Sequence, residues 1–332
     1  MGLTAAGYDM ADPQDEAVQG IIVRIRSVAE WPPEMIGYFA AARTGRAEVN
    51  PYWPRASLLS STSLFIGPDH LLSGEAREEL ERVVLGADNL SPKDKAPDVL
   101  SWLTNLPEAL APVMKSPAFP SLWLGYLAVI EGRGGGWEAE VMRAVIALEE
   151  TLGLPADEHP RVDFVPSLLQ SPHLADYAMT GDTLRIIATR PDGLSIVHEL
   201  LHQVLDRPVR EAVLEVAEAS GSGTEASRGA ETFRDREALR DRVNLEKMRA
   251  LGYAWDDTLE SVVRVLQETW VRAASLWIMY KDDPERAEDG ARGDVARGFR
   301  LEPEFLRSLR KDWAGLGSAK RVLAGAIREH PR

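Results

Sequence analysis

The chain contains no cysteine, so neither a disulfide framework nor a thiolate metal site can be built from it. Any zinc would have to be held by histidine and carboxylate. Positive charge is also short: 38 Lys and Arg stand against 52 Asp and Glu, a net charge of −14. The basic residues are interspersed with acidic ones, which argues against nucleic acid and anionic membrane surfaces as partners. No run of about 18 apolar residues is present to span a bilayer. The stretch 1–19 has acidic residues where a secretory leader would have a basic start and an apolar segment. The expectation is a cytoplasmic protein with neither a membrane nor a nucleic-acid partner. Histidine is scarce as well, six in 332 residues, so any regular spacing among them carries weight.

What is present suffices for a real core. Apolar residues make up 45% of the chain, with nine tryptophans, and the length suits one large domain or two closely packed ones. Along the chain, GIIVRIRS at 20–27 alternates like a strand, 34–43 reads as a short helix, and 49–72 reads as irregular. Helical periodicity follows at 74–87, 96–114, 119–131 and 137–152. A strand is expected at 161–170, and 176–180 with 183–189 form a hairpin across Gly181-Asp182. Next comes a helix at 194–205, ended by Pro208. Charged amphipathic helices are expected at 209–219 and 232–251, with GSGTEASRGA between them as a flexible linker. A helix at 258–280, a polar loop at 281–299 and a helical tail at 303–328 complete the chain. The fold class is α+β, predominantly helical: a mostly helical region at 1–160 with one early strand, then a region at 161–332 with the strands, one motif-bearing helix and a helical carboxyl-terminal part.

The motif is Ser195-Ile196-Val197-His198-Glu199-Leu200-Leu201-His202-Gln203-Val204, an H-E-x-x-H segment in an apolar run. In a helix, residues four apart lie on one face one turn apart. Two neutral imidazoles so placed can grip one zinc ion, and Glu199 can reach a water on that ion. Asp192-Gly193 supply a turn and a helix start just upstream.

Catalytic zinc takes three protein ligands and leaves one position for water. A metzincin would need glycine at 205 and histidine at 208; this chain has Leu205 and Pro208. His70, His159 and His173 lie upstream without motif spacing, and His330 is near the carboxyl end. A carboxylate is therefore the better third ligand, and Glu268 is the choice. It sits in the most apolar helix after the motif, where an unpaired carboxylate would be costly. Its face of the helix also carries Arg264, Arg272, Ser275 and Met279. A salt bridge from Glu268 to Arg272, four residues on, is the competing explanation. Glu260 is the first alternative ligand; Glu211, Glu215, Glu218, Asp256 and Asp257 come after it.

A sheet hairpin followed directly by an H-E-x-x-H helix, then by helices, resembles the zincin metallopeptidases. The resemblance covers residues 161–205 and the helix at 258–280. The E-x-x-x-R pattern of Glu268 and Arg272 is similar to that of uncharacterised bacterial gluzincin-like domains. The resemblance implies Zn2+ as cofactor, a peptide or protein as substrate, and hydrolysis with Glu199 as general base. Arg272, Tyr253 and Tyr280 are candidates, by residue type, to stabilise the tetrahedral oxyanion. The strand at 183–189 could hold an extended peptide by edge pairing. The other expectation is a catalytically inert zincin-like domain that binds a partner or regulates; an intact Glu199 speaks against it. Nothing in the sequence discloses the oligomeric state.

Overall fold

A computed structural model describes residues 1–28, 31–45, 50–67, 71–72, 74–86, 93–133, 136–155, 157–172, 175–219 and 242–329. The chain is mostly helical with one small three-stranded sheet. It divides into two units, one formed by 1–139 with 161–191, the other by 140–160 with 192–332. The sheet thus belongs with the amino-terminal helices, and the motif helix with the carboxyl-terminal ones. The division expected at 160/161 is not the one observed.

The first unit holds α1 (Gly2–Ala5), α2 (Glu16–Arg26), α3 (Pro33–Ala40), α4 (Arg55–Ser63), α5 (Gly74–Gly86), α6 (Pro97–Thr104), α7 (Leu106–Lys115) and α8 (Phe119–Arg133). The strand expected at 20–27 is part of α2. Val18, Ile21, Ile22 and Ile25 are buried, the i, i+3, i+4, i+7 spacing of one helix face. The Asp15 carboxylate accepts from Val18 N at 3.1 Å and caps the start. A window opened at residue 20 misses both. The helix expected at 96–114 is two, because Pro107 lacks the N–H that would continue α6. Within 49–72, α4 forms and lays Ala56, Leu59 and Thr62 inward.

In the sheet, β1 (Arg161–Pro166) pairs parallel with β3 (Thr183–Ala188), and β2 (Asp176–Thr180) pairs antiparallel with β3. The hairpin across Gly181 forms as expected, with that glycine at φ 63°. But β3 is the central strand, order β1-β3-β2. Both of its hydrogen-bonding edges are taken, so it cannot carry a substrate peptide by edge pairing. The parallel partner comes from 22 residues upstream (183 − 161), a pairing that local pattern does not announce.

Most of α9 (Trp137–Leu152) falls in the second unit, with α10 (Gly193–Ala219), α11 (Leu245–Leu251), α12 (Leu259–Met279), α13 (Pro284–Arg297), α14 (Glu302–Asp312) and α15 (Ala319–Glu329). Pro208 does not end the motif helix. Ile196, Val197, Leu200, Leu201, Leu205, Val209, Ala212 and Val213 are all buried. That face runs unbroken past the proline, and burying several such side chains at about 1.5–3 kcal/mol each outweighs the roughly 3 kcal/mol of an interior proline. On the same turn the Asp206 carbonyl accepts from Gln267 Nε2 of α12 at 3.0 Å.

The expected helix at 258–280 is α12, buried on nearly every side. Thr258 caps it, and Trp270 meets Phe305 of α14 edge-on, centroids 5.1 Å apart. The loop expected at 281–299 is instead α13. Asp283 caps it through Arg286 N at 3.1 Å, Pro284 sits in its first turn and Gly298 at its end. Its polarity hid it, since only Ala287 and Ala291 are buried. Gly290 sits at a close approach: a Cβ there would stand 2.7 Å from Leu276 Cδ2, and that side chain would have to shift. The linker expected at 220–230, and the first half of the helix expected at 232–251, lie outside the described residues. Among the described residues no helix is long and apolar enough to cross a membrane.

Candidate metal centre

Asp192 starts α10. Its carbonyl accepts from Ile196 N at 2.9 Å and its carboxylate from Ser195 Oγ at 3.0 Å. At this end Gly193 lies against α12: a Cβ there would stand 2.6 Å from Met279 Cε, so the end of that side chain would have to move. Two turns of one face then carry His198 and His202, and α12 packs alongside with Glu268 turned toward them.

The two imidazole nitrogens and the two carboxylate oxygens of Glu268 converge, and one ligand atom from each residue lies within 4.8 Å of the others. His198 Nε2 lies 3.2 Å from His202 Nε2, 3.6 Å from Glu268 Oε1, and His202 Nε2 lies 3.5 Å from Glu268 Oε2. The histidine–carboxylate gaps are too long for good hydrogen bonds. They match another requirement: ligands about 2.1 Å from a tetrahedral ion are about 3.4 Å from one another. Among the described residues this is the one group of three or more His, Asp or Glu with ligand atoms so close together. The donor set, two imidazoles and a carboxylate, suits zinc and leaves a fourth position for water.

The surroundings fix each ligand. His202 Nδ1 stands 2.9 Å from Asp206 Oδ1. A carboxylate only accepts, so the proton belongs on Nδ1, and the Nε2 lone pair faces the centre. Burial lowers the affinity of both rings for a proton. In His198 it prevails over the carboxylate of Glu268, and the ring sits below its ordinary value. In His202 burial is outweighed by Asp206 and Glu268, which hold that ring well above it, so a metal ion would take the place of a proton on Nε2. For Glu268, burial opposes ionisation, but His198 and Arg272 overcome it and keep the group well below the usual carboxylate range. It is an anion ready to coordinate.

Arg272 and Tyr253 are both beside the centre, as supports. Arg272 Nε donates to Glu268 Oε1 at 2.8 Å, Nη2 to Tyr253 Oη at 2.9 Å and Nη1 to Asp294 Oδ2 at 3.4 Å. Its guanidinium carbon lies 4.4 Å from the Phe299 ring centroid and 5.6 Å from that of Tyr253. With all three nitrogens engaged, it aims Glu268 rather than waiting for an oxyanion. The salt bridge weighed against coordination therefore exists alongside it. Tyr280 is elsewhere, under Arg286 at 4.5 Å. Glu199, buried at 7% exposure, projects from α10 about 100° round from His198.

The alternative ligands are otherwise occupied. Glu260 takes both Arg210 nitrogens, at 2.5 and 2.9 Å; Glu211 pairs with Arg207 and Glu215 with Lys320. Asp256 accepts from Thr258 and Ser261, and Asp257 pairs with Arg249. His159 is buried against Glu149 at 2.8 Å. His70, His173, His330 and the Glu218 side chain lie outside the described residues. Sequence reasoning missed Asp206, though an acid four residues after His202 was a readable signal. It also missed Asp294 and Phe299, which carried no signal once their segment was read as loop.

Comparison with protein-family models, curated proteins and solved structures gives no match. The functional reading therefore stands on the geometry of the centre.

Proposed function

We propose that the chain is a zinc-dependent peptidase of gluzincin-like type, acting on peptide or protein substrates in the cytoplasm. The observation that carries this is the His198–His202–Glu268 cluster, the two Nε2 atoms 3.2 Å apart and each 3.5–3.6 Å from one of the two Glu268 oxygens, next to a glutamate at the general-base position of the motif. When bound, zinc would supply Lewis acidity, bringing the pKa of a water to about 7 and polarising an amide carbonyl. His198, His202 and Glu268 would hold the ion. Glu199 accepts the proton of the attacking water and passes it to the departing amine nitrogen. Asp206 keeps the His202 lone pair inward, and Arg272 keeps the Glu268 carboxylate aligned.

The test is zinc content of the purified chain together with hydrolysis of a peptide library by wild type and Glu199→Gln. The expected result is about one zinc per chain in both proteins and turnover only in wild type. Equal turnover in both would overturn the mechanism. A second reading, an inert metal-binding domain, draws on the ligands being only 12–17% exposed, which leaves little room for a substrate chain to approach. Zinc in both proteins with turnover in neither would favour it.

A further inference from the structure

Behind Arg272 lies a carboxyl group that the peptidase reading does not use. Glu302, in the first turn of α14, is fully buried, and among the described residues no donor reaches either of its carboxylate oxygens. Its neighbour within hydrogen-bond reach is another acid, Asp294 of α13. Two ionised carboxylates cannot bond each other, because each only accepts. One proton between them turns the contact into an O–H···O⁻ bond, among the stronger kinds.

The charges indicate which acid holds that proton. Asp294 accepts from Arg272 Nη1 at 3.4 Å on one oxygen and from Arg297 Nη1 at 3.2 Å on the other, so it is the anion. Among the described residues Glu302 has no cation in contact. Of the groups facing it, Asp294 on α13 and Glu268 on α12 are negative, and Arg272 on α12 already serves both of those. Burial first, and Asp294 next, push the Glu302 carboxyl up to about 10, in line with the geometry.

We infer that Glu302 is held as a neutral acid at pH 7, donates its proton to Asp294, and so positions Arg272 and, through it, the ligand Glu268. The chain of contacts runs Glu302–Asp294–Arg272–Glu268, alternating neutral donor, anion, cation, anion. Glu302 is a positioning residue, three contacts from the ligand Glu268. A protonated carboxyl this deep keeps the region around Arg272 from carrying a third negative charge.

Infrared difference spectra of metal-free wild type and Glu302→Gln at pH 7 test the proton. A protonated-carboxyl C=O stretch present in wild type and missing from the variant is expected; its absence from wild type would overturn the inference. Zinc affinity by chelator competition tests the positioning. Glu302→Gln, whose amide can still donate to Asp294, should bind zinc within about twofold of wild type. Glu302→Leu, which cannot donate, should bind about tenfold more weakly, the low end of what outer-shell partners contribute. Glutamine as damaging as leucine, or leucine harmless, would overturn the relay. The affinity arm rests on the metal reading and the infrared arm does not. Should wild type bind no zinc, the metal centre fails while the infrared band still decides the proton on Glu302, as it also does if the leucine variant fails to fold.

Discussion

Asp176 in the first unit and Glu268 in the second are both buried carboxyl groups, yet the protein treats them in opposite ways. Asp176 is satisfied by neutral donors: Gln170 Nε2 at 2.7 Å and the hydroxyls of Ser57 and Ser60. These fill its lone pairs without supplying charge, and burial pushes it up to about 6. Glu268 meets the same desolvation, but two imidazoles and a guanidinium surround it, and its value falls instead. Hydrogen bonds make a buried acid tolerable; cations make it an anion that can coordinate. That difference makes Glu268 able to serve as a ligand and leaves Asp176 as a pin between α4 and β2.

The sharpest way to break this contrast is to neutralise each acid. Glu268→Gln should lose stoichiometric zinc, measured on purified protein by atomic emission, because a neutral amide replaces the one anionic ligand. Asp176→Asn should keep the metal. Zinc retained by the first variant, or lost by the second, would show that the contrast does not bear on coordination. Next in size is Glu199→Gln, expected to keep zinc and to lower turnover by about 10²–10⁴-fold, the usual contribution of a general base.

A pH titration of stability separates the two acids by sign. Asp176 has a native value of about 6 against 3.8 when unperturbed. Between those values the native state keeps a proton that the unfolded chain has released. Its contribution therefore declines as pH rises through that window and is level above it, by about 3 kcal/mol in all. Glu268, lowered on folding, contributes in the opposite sense, losing stability as pH falls below the ordinary carboxylate range. Asp176→Asn should remove the decline between pH 4 and 6, so that the variant-minus-wild-type stability from urea denaturation grows with pH there. A constant difference would mean that Asp176 is not held protonated in the folded chain.

How much of this was legible follows from where the information lies. The H-E-x-x-H spacing is local, and so was the oddity of Glu268, an acid in the middle of the most apolar helix after the motif; both were readable. The identity of α2 was local too, but needed Asp15 and Val18 in view. By contrast, α13 has the composition of a loop, and its burial of Ala287 and Ala291 depends on neighbours far along the chain. The central place of β3 depends on a parallel partner that no turn announces. Glu302 belongs to the same class. Nothing at position 302 shows that Asp294 and Arg272 will close around it, because three helices have to pack before that contact exists.

The smallest effect is expected where the carboxylate is least buried. Asp206 is 34% exposed at its side chain, so water screens part of its charge, unlike that of Glu268. Its role is to accept from His202 Nδ1 and so keep Nε2 as the lone-pair donor. Asp206→Asn can still accept through its amide oxygen and should weaken zinc by less than about tenfold. Asp206→Leu, which frees the imidazole to rotate and to move its proton to Nε2, should approach the tenfold to hundredfold typical of such partners. Chelator competition at pH 7.5 distinguishes them. If asparagine and leucine cost the same, the charge of Asp206 matters and its geometry does not, and the exposed acid would then act on the metal centre much as the buried ones do.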